Sequence, residues 1–251
     1  MLGHILLLIF IILAVLIIFS SPDKVSTPET VSITPMDEAY ADIVNTYLVD
    51  VARIKEEARI VKEHVIRPHT SVVLGSSTGH LVHELNTIGV STTGVDESKY
   101  MVRRARDVFP HTYTQGEYTS DLLFQEQSLS HVVCFNYTLC FIQDKAAVFR
   151  TVHTWLERGG LFFVHVPHVW NYGPREPNPK YTAVKLQNTL REKAVLDKTY
   201  TLNRHVYLES KESICRVASQ NHFELYRTVS MPLPYLTDQV IIFKSVDPVY
   251  L

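Results

Sequence analysis

The stretch Ser71-Val-Val-Leu-Gly-Ser-Ser-Thr-Gly79 constrains this chain more than any other. An apolar strand ends in a loop of Gly75, small hydroxyl residues and Gly79. A helix follows, with Leu81, Val82, Leu85 and Ile88 at helical spacing. A turn of this kind lets a ligand approach bare backbone and points helix N–H groups at it. About twenty residues on, a second apolar run closes with Thr93-Gly-Val-Asp96, and an acid at that place can accept hydrogen bonds from a ribose diol. Loop and downstream acid together predict a nucleoside-cofactor site at the end of the first strand.

From Ser71 onward short apolar runs alternate with amphipathic stretches, the signature of βαβ units around a mostly parallel sheet. The expected fold class is therefore α/β with a doubly wound, mostly parallel sheet. The pattern predicts strands near 71–74, 91–95, 111–114, 131–135, 161–166 and 239–244, the last closing the sheet. Helices are predicted near 79–88, 98–108, 143–157, 182–195 and 211–221. Alternating residues from Tyr200 to Tyr207 suggest one extra strand. Ahead of these, Thr34-Pro35-Met36-Asp37 resembles a helix start with Thr34 as N-cap, continued by Ala39, Ile43, Val44, Tyr47, Leu48, Val51 and Ile54.

The N-terminus sets a second constraint. Every residue from Ile5 to Phe19 is apolar, and with its flanks the segment reaches about 20 residues, roughly 30 Å as a helix. It lacks the basic start of a cleaved signal, so a retained transmembrane anchor over 1–21 is expected, with a Ser/Thr/Pro-rich linker over 22–36 and one domain over 37–251. Lys24 is the only basic side chain near either end of the segment. It leans the domain toward the cytoplasmic side of a single-pass membrane protein.

A net charge of -2, with acids and bases mixed throughout, carries no footprint for nucleic acid, which is not expected as a partner. Cys134, Cys140 and Cys215 match neither a zinc site nor a disulfide framework. The twelve histidines are scattered over different predicted elements, so no metal is expected.

Two cofactor families use the strand, loop, helix and acid arrangement. A dinucleotide site wants Gly-x-Gly-x-x-Gly, and Gly75-x-x-x-Gly79 does not fit it, which weighs against an oxidoreductase. The sequence resembles instead the class I S-adenosylmethionine-dependent methyltransferases over about Val72 to Val166. That resemblance rests on the first loop, on Asp96-Glu-Ser98-Lys-Tyr-Met101, on Gly116-Glu117, and on Trp155-Leu-Glu-Arg-Gly159-Gly160-Leu-Phe-Phe-Val. A looser likeness runs to small methyltransferases of large DNA viruses and algae.

The resemblance implies a Rossmann-like methyltransferase fold and S-adenosylmethionine as cofactor. Gly75, Ser77 and Gly79 would line its methionine and ribose, and Asp96 would hold the ribose hydroxyls. Glu117 or Tyr118 would sit by the adenine, while Asn136 and Tyr137 would face the transferred methyl. Tyr137, His165 and His168 lie where an acceptor would arrive and are the candidate catalytic groups. Each is also readable as an ordinary packed or loop residue. The acceptor, whether small molecule, lipid or protein, is not named by the sequence.

Two positions depart from the family pattern. Val73 stands where an acid is usual, and Ser77 where the loop's middle glycine is usual. They keep open a rival expectation, a membrane-held binding or scaffold protein with the fold but not the chemistry.

Overall fold

The computed structural model describes residues 29–65, 70–167, 172–231 and 238–247. The chain divides into Met1–Thr30 and Val31–Leu251. The expected anchor over 1–21 and most of the linker lie outside the described residues. Among the described residues no helix is long and apolar enough to cross a membrane.

In order, the elements are β1 (Thr30–Ser32), α1 (Glu38–Ile43), a π-helical turn (Val44–Leu48), α2 (Val51–His64), β2 (Ser71–Leu74), α3 (His80–Thr87), β3 (Thr92–Asp96), α4 (Lys99–Val108), β4 (Tyr113–Gln115), β5 (Leu129–Cys134), α5 (Lys145–Trp155), β6 (Leu156–Val166), β7 (Tyr181–Leu186), β8 (Thr189–Val195), β9 (Thr199–His205), α6 (Lys211–Gln220), β10 (Phe223–Ser230) and β11 (Gln239–Ser245).

Seven strands make one sheet in the order β10-β11-β6-β5-β2-β3-β4. Pairings among β2 to β6 are parallel, and β11 runs antiparallel to both β6 and β10. Successive strand residues point to opposite faces, so neighbours in sequence enter different cores. Val72, Val132 and Phe162 pack with Val148, Phe149, Val152, Trp155 and Ile214 of α5 and α6. Val73, Val133 and Phe163 pack with Ile54, Ala58 and Val61 of α2 and with Leu81, Val82 and Leu85 of α3. Both faces are covered, which is why β2 and β5 are buried at every residue.

Side-chain caps start most of the helices. Asp50 accepts the Arg53 N–H, Ser98 the Met101 N–H, Asp144 the Ala147 N–H and Ser210 the Ser213 N–H. The expected helix entry at Thr34 is shifted: Asp37 precedes the first turn and accepts from the Thr34 N–H and hydroxyl. The single helix expected through Ile54 is broken, because Val49 and Asp50 are extended and Asp50 caps a new helix, α2.

One element is corrected outright. The predicted helix over 182–195 is the hairpin β7–β8, paired antiparallel and turning at Gln187-Asn188. Lys185, Arg191, Glu192 and Lys193 favour helix intrinsically. The buried positions Leu190, Glu192 and Ala194 nevertheless alternate, a strand period that tertiary packing enforces. β9 pairs with β8 as the expected extra strand, and β1 lies at the far edge of this second sheet. β10, which the pattern did not suggest, closes the large sheet beyond β11.

Candidate active site

The strand order reverses between β2 and β5, and the crevice outside the carboxyl ends of strands at such a point is where open α/β sheets bind ligands. A cleft of about 340 Å³ lies there. Gly75, Ser77, Asp96 and Asn136 form its floor at the strand ends. Its other walls come from Met36, Tyr40, Val44 and Leu48 ahead of α2, and from Arg204, His205 and Tyr207 at the end of β9 and beyond. The second sheet and the N-terminal turns thus enclose what the parallel strands leave open.

The Gly75 loop is shaped by contact. Gly75 has φ +67, and a Cβ there would stand 2.2 Å from Thr138 Oγ1, so only glycine lets the loop lie against the turn after β5. Ser77, at the usual middle glycine, takes φ 52 itself. Its N–H donates to Asp96 Oδ2 at 2.9 Å, while the Ser98 N–H donates to Oδ1 at 2.9 Å. The departure at Ser77 is therefore absorbed by a left-handed backbone that the Asp96 carboxyl holds in place. Val73 is fully buried in the apolar layer beneath α2 and α3.

Burial pushes the Asp96 carboxyl up to about 6, against the lowering effect of those two N–H donors. Glu97 also lines the cleft, accepting the Tyr118 N–H, and burial raises its carboxyl too. Tyr118 is buried beside the two acids. This end of the cleft offers carboxyl acceptors and an aromatic ring, suited to a ribose diol and a purine.

Of the residues singled out from sequence, Gly75, Ser77, Asp96, Tyr118 and Asn136 meet in the cleft. Gly79 does not line it: it precedes α3 at φ +89, and a Cβ there would lie 2.6 Å from the Tyr113 hydroxyl. It serves helix-to-sheet packing. Glu117 is exposed, and its neighbour Tyr118 takes the place in the cleft.

Tyr137 and His165 are buried behind the wall, where the Tyr137 hydroxyl donates to Asp238 Oδ2 at 3.2 Å and His165 Nε2 stands 3.0 Å from the same oxygen. Neither reaches the cleft. His168 lies outside the described residues. Sequence reasoning missed Arg53, Arg204 and Glu97. Only Glu97 had a local signal, its place one residue past Asp96.

A methyltransferase-domain family profile matches residues 58–228. The chain belongs to that family. Carboxy-S-adenosyl-L-methionine synthase of Aliivibrio salmonicida is 24% identical over 174 residues, covering 59% of this chain and 70% of that protein. The CcbJ methyltransferase of Streptomyces caelestis superposes with a TM-score of 0.66 at 17% identity, covering 82% of this chain and 96% of that one. The 1,6-didemethyltoxoflavin-N1-methyltransferase of Burkholderia thailandensis, solved with S-adenosylhomocysteine, gives 0.54 at 16% identity over 84% and 88% of the two chains.

The methyltransferase is thus S-adenosylmethionine-dependent, and its cleft fits that cofactor on its own chemistry. Acids and Tyr118 stand at one end, glycine backbone in the middle, and a buried guanidinium, Arg53, beside Asn136. The bound cofactor supplies an electrophilic methyl on a sulfonium. In this methyltransferase Asp96 would orient the ribose, the Gly75 loop would admit the amino-acid chain that leaves the sulfur, and Asn136 would face the reacting carbon.

Proposed function

We propose that this methyltransferase is held at a membrane by residues 1–21, with its domain on the cytoplasmic side, and transfers a methyl group to an acceptor enclosed between the strand ends and the second sheet. The observation that carries the reading is the division of one cleft into two chemistries. Asp96, Glu97 and Tyr118 mark the nucleoside end. The remaining walls include Pro35, Met36, Val44, Leu48, Phe141 and Ile142, which suit an acceptor with an apolar body, a small molecule or a lipid.

Displacement at a methyl carbon requires alignment of nucleophile and leaving sulfur and exclusion of water more than it requires a base. The elements over the cleft supply the enclosure. Arg204 is fixed in that wall by Glu192 at 3.0 Å and by the Tyr172 hydroxyl at 2.6 Å, with its guanidinium 3.8 Å from the centre of the Phe141 ring. Tyr137 and His165 are turned to Asp238 and support the wall of the cleft.

A second reading draws on the curated relatives, which carry the name carboxy-S-adenosyl-L-methionine synthase. Product analysis separates the two. The full chain is incubated with methyl-labelled S-adenosylmethionine and a membrane lipid and metabolite extract, with Asp96→Ala as the blank. Methyl transfer predicts S-adenosylhomocysteine and label in an extract component, both absent from the blank. A nucleoside that has gained a carboxyl group favours the second reading. Cofactor binding without any product contradicts both and leaves a binding role.

A further inference from the structure

The two faces of the second sheet differ in what they meet. On the inner face Tyr181, Ala194 and Leu202 are buried against Tyr40, Ala41 and Ile43 of α1. Residues directly opposite in an antiparallel pair share a face, and on the outer one Val184 stands opposite Arg191, Leu186 opposite Thr189, and Lys193 opposite Thr201. Val184 is 52% exposed and Leu186 49%. Arg191 and Lys193 are exposed as well. Glu192, which separates those two cations in sequence, points the other way, to Tyr181 and Arg204. The outer face thus combines two aliphatic side chains with two cations and holds no carboxylate. In the flanking turns Lys180 and Lys198 outnumber Asp197.

The chain ahead of this sheet is short. Residues 22–29 separate the apolar N-terminal segment from β1, which begins at Thr30. Fully extended, they reach about 29 Å at most. β1 is the edge strand of this same sheet, next to β9, and four strands span only about 14 Å. A segment anchored in a bilayer therefore keeps the whole sheet within reach of the headgroups. Held at such an effective concentration, a face with two cations need bind lipid only weakly. The cytoplasmic leaflet, toward which Lys24 leans the domain, carries the anionic lipids. A nucleic-acid backbone would use Arg191 and Lys193 but would have no use for Val184 and Leu186.

We propose that the outer face of the second sheet docks the domain onto anionic phospholipid, given the membrane anchor proposed above for residues 1–21. His205, opposite Thr189 on this face, also lines the cleft. Docking therefore brings one edge of the cleft to the headgroups, where a lipid acceptor would be met.

The experiment uses the full chain reconstituted in vesicles, with flotation to show whether it is membrane-held. Cys215→Ser removes the half-buried thiol and leaves the buried Cys134 and Cys140. In that background Val184→Cys carries an environment-sensitive fluorophore, and Leu186→Cys replaces it if thermal denaturation shows Val184→Cys unfolded. Fluorescence should rise about twofold or more when phosphatidylcholine vesicles are given about 30% phosphatidylserine, and fall back in about 0.5 M salt. The same label at Leu225→Cys, exposed on β10 of the large sheet, should respond far less. Arg191→Gln combined with Lys193→Gln should abolish the rise.

A label at Val184 that reads the same in both kinds of vesicle, or a rise at Leu225 as large as at Val184, overturns the docking and leaves the anchor standing. A rise that survives loss of both cations overturns the choice of anionic lipid. A full chain that does not float with the vesicles overturns the anchor and the docking together.

Discussion

The single carboxyl of Asp96 both fixes the Ser77 backbone and faces the cleft. A ribose diol donates to the ionised form, and burial has brought that form's titration up to about 6. Cofactor affinity should therefore hold steady above pH 7 and weaken as pH falls through 6, approaching tenfold per unit well below it. Calorimetry across pH 5 to 8 checks this, and Asp96→Asn should give a weaker and flatter profile. For the free protein the sign is opposite. A carboxyl raised in the fold from 3.8 stabilises fully below about pH 4, and that contribution disappears as pH rises through about 6.

The residues legible in the sequence, Gly75, Ser77, Asp96, Tyr118 and Asn136, follow strand ends at spacings that βαβ geometry dictates. Arg53 was illegible because its place depends on how α2 packs across the sheet, a tertiary fact with no local spacing. Gly79 is needed for a reason that its spacing does not reveal: a glycine can be required by a packed neighbour, here Tyr113, as strictly as by a ligand.

At the scale of elements, the parallel strands and their helices were readable because both faces of the sheet are covered and the apolar runs are continuous. The hairpin β7–β8 was not, since its charged residues mimic a surface helix and only the alternation of Leu190, Glu192 and Ala194 betrays the strand. Glu192 explains why a carboxylate is buried in that series. It accepts from Tyr181 at 2.5 Å and from Arg204 at 3.0 Å, and Tyr172 bridges Arg204 to Tyr40. These contacts tie β7, β8 and β9 to α1 and to the segment after β6. Glu192→Ala would leave Arg204, half-buried in the cleft wall, without its counter-ion. It should cost about 3 to 5 kcal/mol in chemical denaturation, while cofactor affinity, which depends on the strand-end half of the cleft, stays within about threefold.

For the whole molecule, the seven-stranded sheet places one ligand crevice where its strand order reverses, and the added antiparallel sheet converts that crevice into a cleft. The first part was foreseeable from the order of motifs along the chain. The second was not, because the segments that enclose the cleft, from Met36 to Leu48 and from Tyr172 to Tyr207, carry no motif and meet only in three dimensions. This cleft is expected to bind S-adenosylmethionine through Asp96 and the Gly75 loop. The deciding experiment is calorimetric titration of S-adenosylhomocysteine into the full chain, with Asp96→Ala as control. One site per chain at micromolar affinity is expected, lost in the folded Asp96→Ala protein. Absence of binding by the folded parent protein, or binding unchanged in the variant, would contradict it.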